Sequence, residues 1–159
     1  MHGPKKELDK FREFARGEEE LDFNKFVPYP DEFDKIDREN AKFTEGMTDE
    51  QKRVLLRLHG RMKDGFNSGG YEWCINNWGT KWSAYDVKVD ENEGSVTYLF
   101  CTAWSPPTPV VKAMGQKFPK LKFALEYREP GMGFKGTLII NNGKVEEDWT
   151  GEYTSDEQE

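Results

Sequence analysis

Apolar residues change their period along this chain. Leu8, Phe11, Phe14 and Ala15 recur at helical spacing behind Pro4, and Gly17 closes the run, which predicts a first helix. From Glu18 to Gly46 no period holds. Phe23, Phe26, Tyr29 and Phe33 are interleaved with Pro28, Pro30 and many acids, which reads as a long loop pinned by aromatic side chains. Thr48, followed three residues later by Gln51, makes a capping box. The helix it opens carries Val54, Leu55, Leu58 and Met62 on one face and Arg53, Arg57 and Arg61 on another. Gly65, Gly69 and Gly70 then precede a short helix with Tyr71, Cys74, Ile75 and Trp78 on one stripe, capped by Gly79.

Strand periods follow. Lys81 to Val89 and Ser95 to Trp104 flank the turn-like run Asp90-Glu91-Asn92-Glu93-Gly94, a predicted hairpin. The second run is apolar on both sides, with Val96, Tyr98 and Phe100 against Leu99, Cys101 and Ala103, so residues 95–104 are expected to be a central, doubly covered strand. Prolines at 106, 107 and 109 start a helix bearing Val110, Val111, Met114 and Phe118, which Pro119 stops. Leu121, Phe123, Leu125 and Tyr127 alternate with polar or small residues as in a half-buried strand. A last hairpin runs from Phe134 to Ile140 and from Lys144 to Trp149, turning at Asn141-Asn142-Gly143. This order predicts an α+β domain with a mainly antiparallel sheet.

Composition narrows the class. With 159 residues the chain suits one domain. Mean hydropathy is low at −0.90, but 22 Phe, Tyr and Trp residues supply core area that the sparse aliphatics do not. The longest apolar runs fall far short of a membrane helix, and Met1 to Phe14 has no apolar stretch resembling a secretory signal. A soluble cytoplasmic domain is the expectation. The domain is expected over residues 4–149, with residues 18–78 as an inserted loop and helices, and residues 150–159 as a disordered acidic tail.

Charge is segregated along the chain. The net −7 divides into +2 over residues 1–16, −8 over 17–50, +6 over 51–145 and −7 over 146–159. Two acidic arms thus flank a mildly basic centre. Such arms keep a protein soluble, fold over the basic centre, or imitate a polyanion towards a basic partner.

The block Tyr71-Glu72-Trp73-Cys74-Ile75-Asn76-Asn77-Trp78-Gly79-Thr80-Lys81-Trp82-Ser83-Ala84-Tyr85-Asp86 has its own look. From Trp73 to Asp86 it resembles the W-C-x-x-N-W-G-T-K-W-x-A-Y-D signature of the YubB-like, ferredoxin-fold family of phage and plasmid proteins. Thr102 to Pro107 and Leu21 to Pro28 agree with the same family. The resemblance implies a ferredoxin-like split β-α-β fold and a home on mobile elements. It also implies a strand ahead of the first helix, which is not written before Met1-His2-Gly3-Pro4, so an edge of the sheet is expected to be missing or differently filled.

Candidate chemistry is thin. Cys74, Cys101, His2 and His59 form no zinc-binding spacing, and both cysteines read as small core residues with no disulfide between them. His59 borders the apolar face of its helix and reads as a packed or half-exposed helical histidine rather than a base. No phosphate-binding loop or dinucleotide fingerprint is written. No catalytic residue, metal or cofactor is therefore expected. Trp78, Trp82 and Trp104, with Thr80 and Lys81, fall at element ends and are expected to form one contiguous aromatic cluster, as core packing or as a binding platform. Arg53, Arg57 and Arg61, with Lys52 and Lys63, read as a solvated helix face or as a phosphate-tracking stripe for nucleic acid. The functional expectation is a non-enzymatic interaction module of mobile-element origin that blocks a host system by occupying a basic surface on a host protein. The alternatives are a nucleic-acid-binding module using the 52–63 helix and, third, a cryptic enzyme.

Overall fold

A computed structural model of the chain describes residues 1–60 and 64–153. Helix α1 (Lys5–Ala15) starts directly after Pro4 and lays Leu8, Phe11 and Ala15 into the interior, as the period predicts. A short 3-10 turn at Phe23–Lys25 follows, opened by Asp22, whose carboxylate accepts from the Asn24 N–H.

The stretch read as a loop from Glu18 to Gly46 contains a second helix, α2 (Asp31–Thr44). Its start is local physics: Pro30 stands at the N-cap, and Asp31, Glu32 and Asp34 in the first turn complement the helix dipole. It buries no residue fully: of the apolar positions that recur at helical spacing, Phe33 packs on Tyr29, while Ile36 and Phe43 stay exposed. Helix α3 (Asp49–His59) opens on the expected capping box, with Thr48 and Gln51 bonded reciprocally, and ends on Gly60. It too buries nothing: Val54, Leu56 and Leu58 are exposed. Met62 and Lys63 lie outside the described residues. Asp37 anchors α2, accepting from the Tyr29 hydroxyl at 3.0 Å and from the Phe66 N–H at 2.9 Å.

Helix α4 (Gly70–Asn77) is the predicted short helix. The first strand, β1 (Tyr85–Asn92), begins four residues later than its period suggests and pairs antiparallel with β2 (Ser95–Cys101), with a register shift between Tyr85 and Lys88. Helix α5 (Thr108–Lys117) buries Val110, Val111 and Met114. Strands β3 (Phe123–Glu129), β4 (Phe134–Asn141) and β5 (Lys144–Glu152) form an antiparallel meander. The β4–β5 turn places Asn142 and Gly143 at positive φ, 50° and 72°, as a tight hairpin of this hand requires. Strand β5 runs to Glu152, so residues 150–152, expected in the tail, pair with Phe134, Lys135 and Gly136. Tyr153, also expected in the tail, donates its N–H to the Gly133 carbonyl at 2.9 Å, and residues 154–159 lie outside the described residues.

The sheet is split. Strands β1 and β2 make one two-stranded sheet and β3 to β5 another, so residues 95–104 are not the central strand their composition predicts. Residues 102–104 leave the strand altogether. The inward residues Val96, Tyr98 and Phe100 do join the core, but Leu99 is 67% exposed and Cys101 is exposed as well. Two apolar faces signalled two coverings, whereas this strand's outer face remains open. Both sheets share one core, centred on Phe11, whose ring lies 5.3 Å from Phe26, 5.2 Å from Phe118, 5.5 Å from Phe123 and 6.0 Å from Tyr98. No helix of the described residues is long and apolar enough to cross a membrane.

Candidate functional site

Two loop segments, 79–83 and 102–105, are sewn together above the C-terminal end of α4. Gly79 makes the turn possible: its φ is +85°, and a Cβ there would meet Pro109 and the Pro106 carbonyl at 2.5 and 2.7 Å. Thr80 is fully buried, and its hydroxyl bonds both backbone groups of Ala103 at 3.1 Å. Ser105 donates its hydroxyl to the Gly79 carbonyl at 2.6 Å, and Thr102 donates to the Ser105 carbonyl at 2.9 Å. Ser83 accepts from the Phe23 N–H at 3.0 Å, tying the first segment to the turn after α1.

This stitching holds Trp104 in a left-handed backbone conformation, φ 70°, which costs a bulky side chain about 1–2 kcal/mol. The ring gains little burial in return, being 66% exposed. Trp82 is 46% exposed beside it. Lys81 bridges the two, its ammonium 4.3 Å from the Trp82 ring centre and 5.7 Å from that of Trp104, within the range of cation–π attraction. The result is a crown of two wet indoles around one cation.

Trp78 is elsewhere. It is 6% exposed, its Nε1 donates to the Val27 carbonyl at 2.8 Å, and its ring meets Phe23, Tyr29 and Trp73. The single cluster expected of Trp78, Trp82 and Trp104 is therefore two: Trp78 faces back along α4 into the core, while Trp82 and Trp104 face solvent. The reason is the Gly79 turn, which reverses the chain's exposure within four residues.

A family model described as the ferredoxin-like domain in Api92-like protein matches residues 77–159, just over half the chain. The chain belongs to this family. The Api92-like match begins at the end of α4 and takes in Thr80, Lys81, Trp82, Trp104 and both sheets, so the crown and the ferredoxin-like α+β domain are one unit. Neither curated proteins nor solved structures provide a match.

The other candidate residues lie outside the Api92-like match. Arg53 and Arg57 are exposed on α3, where Arg53 approaches Glu50 at 3.9 Å, and neither joins the crown. Arg61 lies outside the described residues. Cys74 is buried, and burial together with nearby Asp37 pushes its thiol up to about 11, so it is a poor nucleophile. Among the described residues no three His, Cys, Asp or Glu side chains gather closely enough to hold a metal ion.

One feature has no side-chain signature in the sequence. A cleft of about 900 Å³ separates β2 from β3, with Trp104 and Tyr85 at its rim and Phe11, Val111 and Met114 among its inner walls. Its long edges are backbone, which only strand pairing could expose.

Proposed function

We propose that this Api92-like protein is a non-enzymatic interaction module and that the Lys81–Trp82–Trp104 crown is the surface it presents to a partner protein. The observation that carries the reading is Trp104: a large ring held outward at positive φ by buried hydrogen bonds stores strain without gaining burial. Strain of that kind persists where the surroundings impose it, and it concentrates at functional surfaces. Tryptophan is also the residue type that most often anchors interfaces. Exposed Tyr85 extends the apolar rim.

The resemblance of residues 73–86 to YubB-like phage and plasmid proteins supports a role on a mobile element. The acidic arms support a host protein with a basic surface as the partner, and inhibition of a host system as the outcome. Glu146, Glu147 and Asp148 line exposed β5 as part of that charge. Affinity capture from host lysate, with and without nuclease, tests this reading. A stoichiometric protein retained after nuclease treatment and lost with Trp82→Ala/Trp104→Ala supports it. The exposed arginines of α3 favour nucleic acid as the second reading. Nuclease-sensitive capture lost in Arg53→Ala/Arg57→Ala/Arg61→Ala would replace the first reading with that one.

A further inference from the structure

The side chains of the crown are hydrogen-bond donors without an acceptor among them. Lys81 is half-buried, and among the described residues its ammonium has neither an ion pair nor a hydrogen bond. Its contacts are the rings of Trp82 and Trp104. A cation against π-faces is attracted without being neutralised. Half-buried Lys112, by contrast, is matched by Asp148 at 2.7 Å. An indole likewise donates through its Nε1–H and accepts nothing. Trp78 directs that donor to the Val27 carbonyl, whereas those of Trp82 and Trp104 meet no acceptor among the described residues.

The loops hold this arrangement without help from a ligand. Thr80 bonds both backbone groups of Ala103, Ser105 bonds the Gly79 carbonyl, and Ser83 accepts from the Phe23 N–H. The segments carrying Lys81, Trp82 and Trp104 are thereby fixed to one another, and ordering already met in folding does not weigh against binding. The group that complements such a surface accepts hydrogen bonds only, carries one negative charge and has apolar neighbours for the two indoles.

We infer that the crown receives a single carboxylate side chain of the partner protein, an Asp or Glu flanked on its own side by apolar side chains that lie on Trp82 and Trp104. The inference rests on the crown being the docking surface proposed above and assigns its chemistry. Two surfaces then meet two kinds of group. The partner's basic residues face the acidic arms, and one of its acids faces Lys81. A partner lysine or arginine at the crown would meet a cation and no acceptor side chain.

One carboxylate fits this site better than a nucleic-acid strand does. A phosphate backbone repeats its charge and is held by several cations, whereas the crown has one and the chain carries −7 in all. The chain's own Thr154 to Glu159 supply acids with no apolar residue among them, so they lack the flanks. Spacing follows from backbone geometry. In an extended segment the residues two before and two after the acid share its side, each about 7 Å away. A short peptide forms no stable helix in water, so the extended spacing is the one to probe.

The probe is acetyl-Leu-Ser-Glu-Ser-Leu-amide, titrated into isotope-labelled protein while the five indole N–H signals are followed by NMR. The Trp82 and Trp104 signals, assigned with Trp82→Phe and Trp104→Phe, are expected to shift saturably while that of buried Trp78 stays. Binding is expected to be about threefold tighter or more than for acetyl-Leu-Ser-Gln-Ser-Leu-amide, the scale of one exposed ion pair. It is also expected to be tighter than for acetyl-Ser-Leu-Glu-Leu-Ser-amide, which turns its leucines away from the acid. Lys81→Met keeps the apolar stem and is expected to abolish the Glu–Gln difference with the circular dichroism spectrum unchanged. Should that variant unfold, the three peptides on the unaltered protein decide alone. Absent binding, or equal binding of the Glu and Gln peptides, overturns the inference. So does tighter binding of acetyl-Leu-Ser-Lys-Ser-Leu-amide, which assigns the crown to a cation, or of a thymidine octanucleotide, which assigns it to nucleic acid. Capture of the partner separates this inference from the reading it rests on. Loss with Trp82→Ala/Trp104→Ala but not with Lys81→Met leaves the crown a docking surface and removes the carboxylate, whereas retention in both variants overturns both.

Discussion

The Thr80 hydroxyl bonds the backbone of Ala103 twice, accepting from its N–H and donating to its carbonyl, each at 3.1 Å. Both groups are buried, so one side chain satisfies two main-chain groups that would otherwise be stranded next to Trp104. The posture of an exposed tryptophan is thus decided 24 residues upstream. Thr80→Val, close in shape but without the hydroxyl, is expected to lower stability by about 1–3 kcal/mol. Thr80→Ser keeps the two bonds and is expected to lose less. Urea denaturation of the three proteins is the measurement.

Trp104 offers a test of strain against function. Trp104→Gly relieves the φ of 70° at a position with little burial to lose. Stability is expected to hold or to rise by up to about 1 kcal/mol, while partner capture is lost. Trp104→Val, β-branched at the same φ, is expected to destabilise. Thermal unfolding compares the pair directly.

Asp37 holds the otherwise unburied helix α2 through the Tyr29 hydroxyl and the Phe66 N–H. Asp37→Ala is expected to cost about 1–3 kcal/mol and to raise hydrogen exchange across residues 31–44 before the core responds. Burial, and then the bond to Asp37, push the Tyr29 phenol above its ordinary value. The folded state therefore holds this proton more tightly than the unfolded chain. Its stabilisation is present below the ordinary tyrosine pKa of about 10 and falls as pH rises beyond it. Tyr29→Phe is expected to flatten that alkaline decline in a series of urea titrations.

The Met1 amine has the opposite sign. Its folded value is lowered by burial, so the unfolded chain binds the proton more tightly. Stability is expected to increase as pH rises through the interval ending near the ordinary amine value of about 8, and to be lost again as pH falls through the folded value. N-terminal acetylation removes the titrating group. The acetylated protein is expected to show less of this rise when both forms are followed from about pH 6 to 9.

Local rules were readable wherever one side chain answers to its own neighbours along the chain. Pro4 and the 8-11-15 stripe set α1, Thr48 and Gln51 capped α3, and Asn142-Gly143 turned the last hairpin. Helix α2 escaped because its apolar positions, Phe33, Ile36 and Phe43, are sparse among acids and prolines, and only Phe33 packs on a neighbouring ring, that of Tyr29. The crown residues Thr80, Lys81, Trp82 and Trp104 were visible as a group, but Trp78 was grouped with them because sequence proximity carries no direction.

What the sequence by itself determined is therefore the set of elements, their antiparallel hairpins and an α+β domain built around aromatic residues. Only the tertiary structure decided which tryptophans are wet, that β2 keeps an open outer face, and that the sheet divides with Met1–Gly3 wedged in the gap. The physical reason is common to all three. Periodicity reports which sides of an element prefer to leave water. It carries no record of whether another element arrives to cover them, nor of backbone N–H and C=O groups, which every residue but proline supplies alike.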